Sequence, residues 1–182
     1  MKKAYLFAAV VLFLTSAACQ TTQIKTTDII PSNMPRTAVP KDVNGNWMYG
    51  NFSMTEYWST SPSTYLGNAL QYAIAFTFSA DGTYRQYFTS SAVMAGLTTY
   101  QQSVTSGTVE IDPVAKTIKT YPYKSHYKRT RGGKVQEERD MPKSDLTPTS
   151  YTYTTGTEPG GTKAIYLTLQ GTTQPLTFFN KP

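Results

Sequence analysis

The chain has 182 residues, of which 39% are hydrophobic and 15% charged, and a formal net charge of +6. That length suits one domain able to bury most of its apolar surface unaided, and a single cysteine excludes any intramolecular disulfide. The mild positive excess is not a nucleic-acid footprint, and one histidine with one cysteine is too small a ligand set for a zinc site, which takes three or four.

Met1 to Ala18 opens with Lys2 and Lys3, runs apolar from Ala4 and closes on Ser16-Ala17-Ala18. A charged start, an apolar centre and small residues before a cut are the parts of a secretory signal peptide. The apolar part is shorter than the roughly 20 residues of a spanning helix. Cys19 follows directly, and a cysteine in that place resembles the lipid-attachment residue of bacterial lipoproteins. The resemblance implies removal of residues 1–18, fatty acylation of Cys19 (palmitate among the acyl groups) and a lipid-anchored protein of the bacterial cell envelope. Two acyl chains already make anchoring stable. Ser16 departs from the family, which usually carries Leu, Val or Ile there. Ser16 and Ala18 also suit the ordinary signal peptidase, so plain secretion stays open. In that family an Asp after the cysteine often marks retention at the inner membrane; Gln20 points instead to the outer membrane. Without Lys2 and Lys3, fifteen basic residues face eleven acidic ones, and nucleic acid is not an expected partner.

Residues 19–42 are rich in Thr and interrupted by Pro31, Pro35 and Pro40, with no sustained period of 2 or 3.6. They read as a flexible tether between the membrane and a domain over 43–182. Within that domain the patterns are those of strands. Tyr72 to Ser79 alternates large apolar with small residues, and Asp81-Gly82 separates it from Thr83 to Phe88, a hairpin signal. Tyr100–Val104, Gly107–Ile111 and Lys116–Tyr121 are the next expected strands, turned at Asp112-Pro113. Tyr123–Thr130 and Lys134–Asp140 flank Gly132-Gly133 as a further hairpin. Ser150–Thr155, Lys163–Leu169 and Pro175–Phe179 complete the series, with a loop at Glu158-Pro159-Gly160-Gly161. Ser63–Leu70 and Ser90–Leu97 read as loops or single helical turns. Many short strands joined by Gly and Pro turns indicate an all-β fold, an antiparallel up-and-down barrel of about eight to ten strands.

The domain begins Gly45-Asn46-Trp47, and with the strand–Asp-Gly–strand run from Phe76 to Tyr84 it resembles the lipocalins and the lipocalin-like bacterial lipoproteins. The resemblance implies that Trp47 plugs the closed end of the barrel, with Gly45 and Gly82 as structural residues. It implies no particular ligand, because fold does not fix function. Animal lipocalins stack a late Arg on that Trp; this chain has no Arg after Arg139, leaving Lys163 or Lys181 for the place.

Candidate chemistry is sparse. His126 has no carboxylate within its own run, Tyr123 to Arg129, and reads as an ordinary strand residue. The basic cluster Lys124, Lys128, Arg129, Arg131 and Lys134 reads as a solvated hairpin paired with Glu137, Glu138 and Asp140 on the return strand, or as a contact for acidic glycans or lipid headgroups. Glu56 lies among aromatics. With Tyr49, Tyr57, Trp58, Tyr84 and Tyr100 it makes a candidate ligand-binding set, since phenols lining a wet barrel interior suit a small molecule. No catalytic residues, cofactor or metal are expected, and an enzyme is the least favoured class. The expected function is a monomeric, membrane-anchored lipoprotein whose barrel binds a small molecule. The alternative is a filled barrel serving as a protein- or glycan-interaction module. A membrane-spanning barrel is disfavoured by the short strands expected and their polar outward positions.

Overall fold

The computed structural model describes residues 30–50, Trp58 and residues 70–181. Cys19, Glu56, Tyr57, most of the expected Ser63–Leu70 turn and the first part of the expected tether lie outside the described residues. Among the described residues nine strands follow in chain order: β1 (Gly45–Tyr49), β2 (Leu70–Phe78), β3 (Thr83–Met94), β4 (Leu97–Asp112), β5 (Thr117–Arg131), β6 (Lys134–Asp140), β7 (Thr149–Thr157), β8 (Lys163–Leu169) and β9 (Leu176–Lys181). All pairings are antiparallel. Eight strands close a ring in the order β1-β2-β3-β4-β5-β7-β8-β9 and back to β1, an up-and-down barrel-like sheet. β6 stands outside the ring. The free edge of β5 is shared: residues 117–120 pair with β7 and close the ring, whereas residues 126–131 pair with β6.

Alternation along each strand sends one set of side chains inward. Trp47, Phe76, Phe78, Tyr84, Val109, Ile111, Ile118, Tyr153, Ile165, Leu167 and Phe178 form one buried cluster from all eight ring strands. Met48, Ala73 and Ala75, one residue out of phase, form a second cluster on the outer face with Tyr87 and Val104.

Trp47 is 2% exposed and donates its Nε1 proton to the Val43 carbonyl at 2.6 Å. Lys163 and Lys181 are both exposed, and among the described residues no cation stands over the Trp47 ring. A backbone carbonyl, not a basic side chain, holds the indole. The chain before β1 is strapped across this end. Thr37 N–H donates to the Val109 carbonyl at 3.0 Å, Thr108 Oγ1 donates to the Pro35 carbonyl at 2.7 Å, and Val39 and Val43 enter the core. Residues 35–42, expected as the end of a tether, therefore pack on the barrel. Gly82 explains how the strap fits: at φ +83°, a Cβ there would strike the Thr37 carbonyl. Gly45, at φ +133°, takes a backbone angle that L side chains rarely adopt at the start of β1.

Two expectations of short strands are corrected. Tyr100–Val104 and Gly107–Ile111 belong to one 16-residue strand, β4, and Lys116–Tyr121 and Tyr123–Thr130 to one 15-residue strand, β5. The expected breaks are a register shift in which Tyr123 is the extra residue of a bulge beside Pro122. Gly107 lies opposite that bulge because the Tyr84 ring and the Tyr121 carbonyl occupy the space of its Cβ. Ser90–Leu97 is also not helical: β3 runs to Met94 and turns at Ala95-Gly96 into β4. The polar Ser, Thr and Gln of these arms hide the period-2 pattern that marks the apolar strands.

Candidate functional site

Among the described residues, side chains reach across the middle of the interior. β2 and β7 lie on opposite walls, four strands apart in either direction round the ring. Yet the Phe76 ring meets Tyr151 of β7 edge-on at 6.0 Å, stacks on Phe78 at 5.3 Å and tilts against Phe178 at 5.6 Å. These are aromatic contact distances, so side chains from opposite walls touch. Burial pushes the Tyr84 hydroxyl well above the usual tyrosine range, partly offset by its hydrogen bond with Thr120, and pushes Tyr151 up to about 12. Both phenols belong to a dry core. Above this layer Tyr49 stacks with Tyr72 at 5.4 Å, and Tyr72 is 45% exposed.

The candidate ligand-binding residues therefore separate. Tyr49 and Tyr84 face inward, Tyr84 deep in the packed layer and Tyr49 nearer the mouth. Tyr100 lies on the opposite face of the sheet, between Ser91 and Thr130, and burial raises its hydroxyl. Trp58 stands on that outer face as well, against His126.

The outer face of β3, β4, β5 and β6 carries the densest polar arrangement. Register aligns it in rows: Arg85–Ser106–Lys124, then Tyr87–Val104–His126–Asp140, then Thr89–Gln102–Lys128–Glu138. Such cross-strand neighbours are within side-chain reach. His126 Nδ1 lies 2.8 Å from Asp140 Oδ1, and its Nε2 lies 3.3 Å from Glu138 Oε1. The Trp58 ring meets the imidazole edge-on at 5.1 Å. Lys128 is buried at 8% exposure; its Nζ donates to the Trp58 carbonyl at 3.3 Å and lies 3.9 Å from Glu138. A buried ammonium needs such partners. Beside these groups a groove of about 290 Å³ opens over Ser106, with Arg85 and Lys124 at its sides and Trp58 and His126 on its wall.

The expected pairing of the basic hairpin with its return strand is present: Arg129 meets Glu137 at 3.3 Å, and Glu137 also accepts from Arg139 at 2.8 Å. His126 is the residue that sequence reading undervalued. Its partners lie 12 and 14 residues away, and only the hairpin register brings them to it. The Gly132-Gly133 turn with its flanking charges was the available signal.

Glu138 and Asp140 engage opposite nitrogens of one imidazole, and among the described residues no group of three His, Cys, Asp or Glu is placed to share an ion. Compared with protein-family models, with curated proteins and with solved structures, the chain matches none.

Proposed function

We propose that this protein is a cell-envelope lipoprotein, anchored through acylated Cys19, whose filled lipocalin-like barrel serves as a scaffold for binding on its outer face. The observation that carries the reading is the meeting of Phe76 and Tyr151 across the barrel, which leaves the middle of the interior to side chains. The groove over Ser106 supplies the alternative surface. An indole for a sugar face and two cations for carboxylates are the chemistry of an acidic glycan site. Both nitrogens of His126 are engaged by carboxylates, which supports a positioning role and a non-catalytic protein.

Titration of the full chain with uronic-acid oligosaccharides and their neutral counterparts, read by calorimetry and tryptophan fluorescence, tests this. Arg85→Gln with Lys124→Gln should weaken the acidic ligands selectively, and Trp58→Ala should weaken both kinds. Absence of binding at millimolar ligand, or binding indifferent to these changes, overturns the glycan reading. A second reading, a small molecule held by the barrel, is favoured by the half-exposed Tyr72 stacked on Tyr49. Native mass spectrometry of the purified chain tests it: a co-purifying ligand lost on Tyr49→Ala supports it, and a clean apo mass across growth conditions opposes it.

A further inference from the structure

The two long hairpins end side by side. Gly132 N–H of the β5–β6 turn donates to the Thr98 carbonyl of β4 at 2.9 Å, joining the tips. Around them the apolar side chains are exposed: Val93 49%, Met94 72%, Leu97 46% and Val135 46%. These residues sit at the end of a strongly polar sheet, where solubility favours hydrophilic groups, so their clustering needs a reason. The charges next to them are of one sign. Further down the ladder the cations of the hairpin are matched, Lys128 by Glu138 and Arg129 by Glu137. At the tip Arg131 faces Lys134 across the turn, and among the described residues neither makes an ion pair.

We propose that the joined tips of the β3–β4 and β5–β6 hairpins dock into an anionic lipid bilayer. Met94 and Leu97 enter the headgroup–acyl boundary, and Arg131 and Lys134 meet lipid phosphates. Apolar residues flanked by unmatched cations have the chemistry of an interfacial membrane contact. A protein partner of matching acidity is the competing occupant, and it would leave the tip wet on vesicles. The proposal stands without acylation of Cys19, and acylation would make it easier. The chain from Cys19 to Ile30, 11 residue steps, can extend roughly 40 Å, and β4 from Thr108, which holds Pro35, to Leu97 is about 37 Å long. The tips, at the end of β4 remote from the strap, can thus reach the bilayer that holds the anchor.

The test uses the full chain with Cys19→Ser and a single fluorescent label on Met94→Cys. Its control is a label on Val114→Cys, 92% exposed at the opposite end of β4. On vesicles of phosphatidylcholine with about a third phosphatidylglycerol, the label at 94 should shift to the blue and be quenched by shallow brominated lipid, while that at 114 stays wet. Arg131→Gln with Lys134→Gln should weaken partitioning of the tip roughly 30-fold, from about 1 kcal/mol per basic residue at an anionic surface. A label at 94 that stays as wet as that at 114 overturns the proposal. Insertion that is equal on pure phosphatidylcholine and unmoved by the double substitution overturns its electrostatic half.

Discussion

Phe76→Ala is the substitution that most directly tests whether the barrel is filled. Phe76 is 2% exposed and touches rings on β3, β7 and β9 as well as Phe78 on its own strand. A buried phenylalanine cut to alanine costs roughly 3–5 kcal/mol, the lost transfer energy plus that of the cavity left behind. Ring pairs add about 0.5–1.5 kcal/mol each beyond burial, and four are lost together, so the expectation is the upper part of that range. For a domain of about 150 residues, 4 kcal/mol corresponds to a melting midpoint lower by roughly 8–16 °C. Urea unfolding followed by circular dichroism and by fluorescence should show the midpoint fall with an unchanged slope. The cavity would be apolar and dry, so the variant should also gain a weak site for benzene-sized ligands that the parent lacks. Tyr72→Ala, removing a 45% exposed ring, is the control and should cost under about 1 kcal/mol. A loss below about 1 kcal/mol for Phe76→Ala would mean that the walls do not meet through this ring. The lumen would then again be the first place to look for a ligand.

Trp47→Ala should cost roughly 3–5 kcal/mol and Trp47→Phe about 1–3, the latter mainly for leaving the Val43 carbonyl without its donor; an unchanged melting midpoint for Trp47→Ala would show that the indole does not close the barrel. Gly107→Ala should destabilise by about 3 kcal/mol, the upper part of the overpacking range, because the new Cβ meets the Tyr121 carbonyl and the Tyr84 ring and lies 2.9 Å from Pro122 Cα; a neutral effect in thermal melts would refute the close packing at the bulge. Stability should fall between pH 10 and 12, since Tyr151 keeps its proton to about 12 when folded and releases it near 10 when unfolded. The unfolded chain then binds fewer protons than the native one, so unfolding is favoured as pH rises, by about 3 kcal/mol for this group, and Tyr151→Phe should flatten the slope measured by urea titration. Cys19→Ser should abolish palmitate labelling and free the protein from the membrane fraction; continued labelling would end the lipoprotein reading.

What sequence patterning could reveal depended on which face of each strand is apolar. Tyr72 to Ser79 alternates because Ile74, Phe76 and Phe78 face the inner cluster while Ala73 and Ala75 lie on the outer face. That stretch, the Asp81-Gly82 turn and the charged hairpin at Gly132-Gly133 were all legible. The continuity of β4 was not, because Thr98 to Ser106 is mostly polar, with only Tyr100 and Val104 to mark a face. Its parts Tyr100–Val104 and Gly107–Ile111 read as separate strands, and nothing between them shows that one strand runs through. Pro122 read as a break for the same reason, since a bulge that accommodates it requires Gly107 opposite, a fact of pairing and not of local composition. The strap was hidden by its prolines. Pro35 and Pro40 suit an extended chain whether it floats or is pinned, and only Val39 and Val43, two apolar residues four apart, hinted that it was pinned.

The same limit separates the candidate ligand set from the groove. Aromatic content is visible along a sequence, but its sidedness is a matter of register. Tyr84 and Tyr100 are both strand tyrosines buried near polar neighbours, and they lie on opposite faces because one sits in phase with Phe78 and the other in phase with Thr130. Where rings from opposite walls meet, an inward tyrosine packs against them, and its raised hydroxyl reports desolvation. An outward aromatic beside charges is different. Trp58 keeps 37% of its surface exposed while its carbonyl satisfies a buried lysine. That lysine is fixed by Glu138, which also fixes His126. Removing Glu138 should therefore disturb Lys128, His126 and the groove wall together. On the proposed reading, the selectable chemistry lies in this coupled network on the sheet's outer face.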